Sequence, residues 1–294
     1  MKSCLPCLLR SILHGLCFLF ATQLGLADSA VTPHTNAKPA VSKPFGQSAA
    51  LQSGGTAAAT DMSSIDFNPA GIKLGKILSI EGATSWKKNN IQSSEVGVID
   101  SVMSEVAAAL KFRRTSTAVG DLERRVTLGL ADDVANTGVT VGLAGDYKER
   151  PVLTTDGLIT EKGNAFELRG GAIYNIHSAL RIGARTGGHF DKKMKPEHAF
   201  GFGSLLGEHF ILNGDLIFVE RDPSKATLGA GVLFNKFFDL RTSYGYHLQD
   251  KKHEGAAGLF LVSSKVAIFY VANLPELTGP ELEHQIGLRL NMAF

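Results

Sequence analysis

The last ten residues of the chain limit its fold more than any other feature. Ile286, Leu288, Leu290, Met292 and Phe294 alternate with Gln285, Gly287, Arg289, Asn291 and Ala293. A period of two places the first set on one face of an extended strand and the second on the other. One face is wholly apolar, and the other is polar or very small. The same pattern sets Phe238, Leu240, Thr242, Tyr244, Tyr246 and Leu248 against Asp239, Arg241, Ser243, Gly245 and His247. It also sets Phe166, Leu168, Ala172 and Tyr174 against Glu167, Arg169 and Gly171. A helix would bring Asp239 and Arg241 onto much the same side as the neighbouring aromatics, which no single environment satisfies.

Alternation of this kind recurs from residue 76 to the end. It predicts strands at 76–86, 92–100, 105–114, 124–131, 137–148, 164–174, 178–188, 197–205, 209–219, 225–234, 237–248, 254–262, 265–273 and 282–294. The connections between them are expected to alternate in length. Tight turns such as 132–136 and 235–236 contrast with longer, charged segments at 87–91, 115–123, 149–163, 220–224 and 274–281. Short turns at one end and longer loops at the other are the pattern of outer-membrane barrels. No stretch beyond the start of the chain has the roughly twenty apolar residues of a spanning helix. A chain without such helices crosses a bilayer only as a closed sheet, because every backbone group in lipid needs a partner. The expected fold is therefore all-β: a closed antiparallel transmembrane β-barrel of about fourteen strands over residues 76–294.

The residues ahead of the barrel divide into three. Residues 1–27 read as a signal peptide: Lys2 and Arg10 form the charged start, Ser11 to Leu26 the apolar run, and Gly25-Leu26-Ala27 a small-residue cleavage site. Residues 28–44, with Pro33, Pro39 and Pro44, read as a flexible linker. Residues 45–75 read as a plug or turn segment leading into the first strand.

Composition excludes several functions. Cys4, Cys7 and Cys17 all lie in the leader, so the exported chain is expected to lack disulfides, thiolate nucleophiles and cysteine metal sites. The formal charge is +2, from 30 basic and 28 acidic residues, with no basic block to meet nucleic acid. There is no Gly-x-Ser-x-Gly elbow and no His-Glu-x-x-His pair. No catalytic residue, metal site or cofactor is expected.

The predicted inward face is charged, with Glu81, Lys111, Arg113, Arg125, Asp146, Glu167, Arg169, Arg181, Arg185, Asp215, Asp239, Arg241 and Arg289. Such groups either pair across strands or bind an anionic group. Arg169, Arg181, Arg185 and Arg241 are the candidates for a lumen ligand site, because three of them fall on one predicted hairpin. The apolar strand end Leu290, Met292, Phe294 resembles the signal recognised by the bacterial barrel-assembly machinery.

The block Asp61-Met62-Ser63-Ser64-Ile65-Asp66-Phe67-Asn68-Pro69-Ala70-Gly71, just ahead of the first strand, resembles the FadL-like family of long-chain fatty-acid and hydrocarbon transporters. That family carries an Asn-Pro-Ala motif in an N-terminal segment that folds into a fourteen-stranded barrel as a plug. The resemblance implies passive uptake of hydrophobic small molecules across the outer membrane of a Gram-negative bacterium. Asn68 would hydrogen-bond neighbouring backbone, Pro69 would stiffen the turn, and Gly71 would allow close approach. A general porin-like channel and a non-transporting structural or surface barrel remain open alternatives. The expected partners are outer-membrane lipid, the assembly machinery and a hydrophobic small-molecule ligand.

Overall fold

A computed structural model describes residues 55–292 except 88–90, 118–119, 136, 154–158, 178, 190–194, 208, 235–236 and 277–281. The proposed leader and linker, residues 45–54 and Phe294 lie outside the described residues. Fourteen antiparallel strands form a closed barrel in which each pairs with its chain neighbours and the last pairs with the first. In chain order they are β1 Leu78–Lys87, β2 Gln92–Asp100, β3 Ala107–Thr117, β4 Gly120–Val134, β5 Val139–Leu153, β6 Ile159–His177 and β7 Leu180–His189. There follow β8 Glu197–Leu206, β9 Phe210–Val219, β10 Asp222–Leu233, β11 Phe238–His247, β12 Lys252–Val262, β13 Val266–Leu274 and β14 Glu283–Met292. Closure is continuous, running from Leu78 opposite Met292 to Lys87 opposite Glu283. An even strand count puts both chain ends at the same rim.

The pleat sorts the side chains as the sequence requires. On β14, Ile286, Leu288 and Leu290 are 45%, 44% and 43% exposed, while Gln285 and Arg289 are 2% and 9%. On β11, Phe238 and Tyr244 face out and Asp239 faces in. This is an inside-out protein: charges are buried, and Leu, Phe, Ile, Val and Tyr form the outer surface. Water would not tolerate so continuous an apolar belt, whereas hydrocarbon demands it. The belt fixes one expected result. Leu288→Arg, at the middle of β14, should lower the folding free energy in lipid vesicles by about 2–4 kcal/mol. A urea titration of refolding checks it, and an unchanged midpoint would contradict the lipid-facing placement of this strand.

Strand lengths differ from expectation in one place. Most strands have the roughly 9–11 residues that a tilted crossing needs, but β4, β5 and β6 have 15, 15 and 19. The expected loop at 149–163 is mostly strand, because β5 continues to Leu153 and β6 begins at Ile159. The expected loops at 115–123 and 220–224 shrink in the same way. The contrast between short and long connections is therefore weaker than the sequence suggested, and the extra residues instead raise the rim at β4–β6.

Residues Gly55 to Gly75 occupy the inside of the barrel. They form three single-turn helices, α1 Gly55–Ala58, α2 Ser64–Phe67 and α3 Gly71–Leu74. Helix α1 contacts β7, β8 and β9, and α3 contacts β3, β4 and β5. Such short helices have no stability of their own, so the barrel wall must hold them. Met62, Ile65 and Ile72 are fully buried against Ile99, Ala107, Ala109, Ala131 and Ala144. Each such side chain contributes up to about 1.5–3 kcal/mol.

Candidate functional site

The site is the seat that the barrel wall makes for this inner segment. Three kinds of contact hold the segment in place.

The first is the amide of Asn68, which is fully buried. Its Nδ2 donates to the carbonyl of Thr56 at 2.6 Å within the segment. It also donates to the wall, to Ala172 O on β6 at 3.2 Å and Ala184 O on β7 at 3.3 Å. Its Oδ1 accepts from the Ala70 amide at 3.1 Å. One side chain thus ties the turn to α1 and to two strands. The Ala70 bond is of the kind expected from an Asn in a turn; the bonds to β6 and β7 reach further than sequence reasoning placed them.

The second is a set of inward-facing glycines. A Cβ on Gly142 would lie 2.3 Å from Ala70 N and from Pro69 C. One on Gly171 would lie 1.9 Å from Asn68 Oδ1. Only a residue without a side chain lets the plug backbone come this close. Within the segment, a Cβ on Gly71 would lie 2.0 Å from the carbonyl of Ala59, so this glycine allows close approach to the plug itself.

The third is charge. The segment carries two buried carboxylates, Asp61 and Asp66. Asp61 Oδ2 accepts from Arg289 Nη2 at 2.8 Å, and Arg289 Nε donates to Glu81 on β1 at 2.9 Å. Asp66 pairs with Lys111 and has Arg113 and Arg169 at 3.6 and 3.8 Å. The pairing continues around the wall. Arg113 donates twice to Glu95, at 2.9 and 3.1 Å. Arg125 grips Asp146 with two bonds of 2.6 and 2.9 Å, and Arg169 pairs with the same carboxylate while donating to Asp66 O at 2.6 Å. Lys148 pairs with Glu167. A belt of ion pairs therefore runs from β14 through β1 to β6, with two of its anions supplied by the segment. Lys111 and Arg113 are each 1% exposed, and cations buried this deeply require anions.

Burial opposes ionisation of Asp66, but Lys111, Arg113, Arg125 and Arg169 together hold its carboxyl well below the ordinary aspartate value of 3.8. A depressed pKa means that the stability from this group is complete above the ordinary value and is lost only as pH falls towards the lowered one. Seating of the segment should accordingly be independent of pH between about 5 and 7. Limited proteolysis of residues 55–75 across that range checks this; progressive release towards the acid end would contradict it.

The four arginines picked out as ligand candidates do not converge. Register places Gly171 opposite Arg185 and Asn175 opposite Arg181, so Arg169 faces neither. Arg169 is taken by Asp146 and the segment, and Arg185 by Glu197. Arg241 pairs with Asp239 and lies 5.4 Å over the ring of Phe260. Arg181 is half-buried and stands apart near the other rim. Asp61 and Asp66 were missing from the sequence-based site, although both lie inside the quoted motif block. Leu290 and Met292 sit on the outward side of β14, with Leu290 well exposed.

One part of the inner wall is apolar. Ala83, Ala256, Phe260, Phe269 and Val271, from β1, β12 and β13, form a second buried cluster, with Phe260 and Phe269 stacked at 5.8 Å. The strands with which α1 and α3 make their principal contacts are on other parts of the ring, β3–β5 and β7–β9.

Solved structures with this architecture exist. The toluene transporter TbuX of Ralstonia pickettii is 11% identical and aligns over 85% of this chain and 99% of its own, with a TM-score of 0.63. The toluene transporter TodX of Pseudomonas putida is likewise 11% identical, covering 87% of this chain and 99% of its own, with a TM-score of 0.59. This chain shares the toluene-transporter fold. The fourteen-stranded barrel with an inner N-terminal segment, implied by the Asn68-Pro69-Ala70-Gly71 block, is the fold found. At this identity the likeness is one of architecture. No family model matches the chain, and no curated protein matches it by sequence. The transporter fold supplies the outer membrane as the setting in which the apolar belt makes physical sense.

Proposed function

We propose that the protein is a passive channel for hydrophobic small molecules across the outer membrane of a Gram-negative bacterium, with residues 55–75 as its plug. The observation that carries this reading is an apolar cluster in the inner wall of an otherwise charged lumen. The Phe260–Phe269 cluster is buried in this structure, and it is the stretch of wall against which a hydrophobic solute would pack once the lumen opens. The plug, seated mainly against other strands of the ring, is held in part by polar contacts that can be exchanged for water without unfolding the barrel. Toluene is transported by both structural relatives named above, and a monoaromatic hydrocarbon is the substrate class to test first. A general diffusion pore fits less well, because Gly55–Gly75 fills part of the lumen and the inward charges largely satisfy one another.

In this reading residues 1–27 direct export, residues 28–44 link the leader to the plug, and Leu290, Met292 and Phe294 end the last strand as the signal read by the assembly machinery. In this reading the protein passes its solute without chemical change, which calls for no catalytic residue, metal or cofactor. Uptake of toluene or a long-chain fatty acid into proteoliposomes, compared with empty liposomes, tests the proposal. Faster uptake with protein is expected, and equal rates would remove the reading.

A further inference from the structure

Outside the barrel, the bulky apolar belt gives way to small residues at the β6–β7 seam. Across the β6–β7 seam, Gly170 lies opposite Thr186 and Ala172 opposite Ala184, and all four face outward. These small residues floor a cavity of about 740 Å³, with Phe200 and Phe218, packed edge to face at 6.1 Å, along one side. The inward glycines next to it are required by the plug, but Gly170 is not. Apart from its chain neighbours, a Cβ there would meet only the Thr186 methyl, at 3.9 Å. The barrel could carry a side chain at this position, so the space is left empty on the lipid side.

The end of the groove is charged. It opens at the rim away from the chain ends, where His198, Glu220 and Arg221 line it. Lys195 reaches Glu220 at 3.2 Å and neutralises it. Arg221 is exposed, and none of the described residues pairs with it. An open apolar depression ending in an exposed guanidinium matches a molecule with an acyl chain and a phosphate. We infer that the β6–β9 outer face is a binding site for a phosphorylated glycolipid of the outer leaflet, with one acyl chain along Gly170, Ala172 and Ala184 and its phosphate on Arg221. The inference rests on the membrane placement of the barrel but not on transport through it.

Native mass spectrometry of the full-length protein in detergent, titrated with lipid A, tests this. The wild type should retain a lipid A molecule through detergent exchange. Filling the groove with Gly170→Leu and Ala184→Phe, or reversing the charge with Arg221→Glu, should each lower the affinity by about tenfold or more. Heat-modifiable migration on gels reports whether each variant still folds as a barrel. Absence of lipid A from the wild type, or equal binding by folded variants, overturns the inference. Unchanged lipid A binding with slower toluene uptake would also overturn it, assigning the groove to the transported solute instead. Lost lipid A binding with normal toluene uptake supports the lipid site and leaves the transport reading intact.

Discussion

Asp66→Ala is expected to convert a closed barrel into one that conducts ions. The substitution removes the carboxylate that Lys111 contacts and that Arg113 and Arg169 approach within 4 Å. Arg113 keeps Glu95 and Arg169 keeps Asp146, so the wall retains most of its pairing. Lys111, at 1% exposure, keeps only Glu95 at 3.7 Å. Leaving a buried charge without its principal partner costs about 3–5 kcal/mol. The barrel can avoid that cost by letting water in, which means letting the plug out. The population with the plug displaced should rise by roughly a hundredfold or more. Planar-bilayer recording reads the change as new open-channel events, while heat-modifiable migration shows that the barrel has survived. Asp66→Asn, which keeps the shape but not the charge, should behave in the same direction. A silent D66A channel would mean that the ion pairs do not hold the plug.

The second large effect is steric. Gly142→Leu places a side chain where the backbone of Pro69 and Ala70 now lies, with the first carbon already 2.3 Å from Ala70 N. Backbone cannot yield as the tip of a side chain can, so either the plug moves or β5 distorts. Overpacking of a tight contact costs about 1–3 kcal/mol, and more where main chain is struck. The expected outcome is again ion current and faster proteolysis of residues 55–75. Gly82→Ala is the control, because a Cβ there meets nothing nearer than Glu95 O at 3.8 Å. It should leave both readouts unchanged. If G142L and G82A behaved alike, the glycine seat would have no role in holding the plug.

These two effects also mark where the sequence was legible and where it was not. Strands such as β11 and β14 were plain because one face must be apolar and the other must not, which is a constraint written residue by residue. Beyond the lipid that constraint lapses. The sequence over residues 150–162 loses that alternation and reads as a loop, although β5 continues to Leu153 and β6 begins at Ile159. The plug was visible only through a motif resemblance. Its single-turn helices have no periodicity long enough to detect, and its stability comes from a wall distant in sequence, as in the 103 residues between Asp66 and Arg169.

The inward charges were readable one strand at a time, but their partners were not. The register decides that Arg169 meets Asp146 rather than joining Arg185. Two signals were present. Gly142 and Gly171 fall at inward positions, where a lumen of ordinary width would tolerate side chains. And the predicted inward cations Lys111, Arg113 and Arg289 needed anions, while the motif block held two aspartates, Asp61 and Asp66.

In the proposed channel the plug must move for solute to pass, and a reversible tether on the plug measures that directly. The Cβ of Ala58 on the plug lies 3.0 Å from the position a Cβ would take on Gly203 of β8. A disulfide needs about 3.5–4.5 Å between its two Cβ atoms, so the bond forms once the plug and β8 part by about half an ångström. All native cysteines lie at or before Cys17, within the proposed leader, so Ala58→Cys with Gly203→Cys would be the pair left once that leader is removed. In proteoliposomes, toluene uptake by the oxidised double variant should fall to that of empty vesicles and recover on adding reductant. Uptake at the same rate in the oxidised and reduced forms would contradict the account.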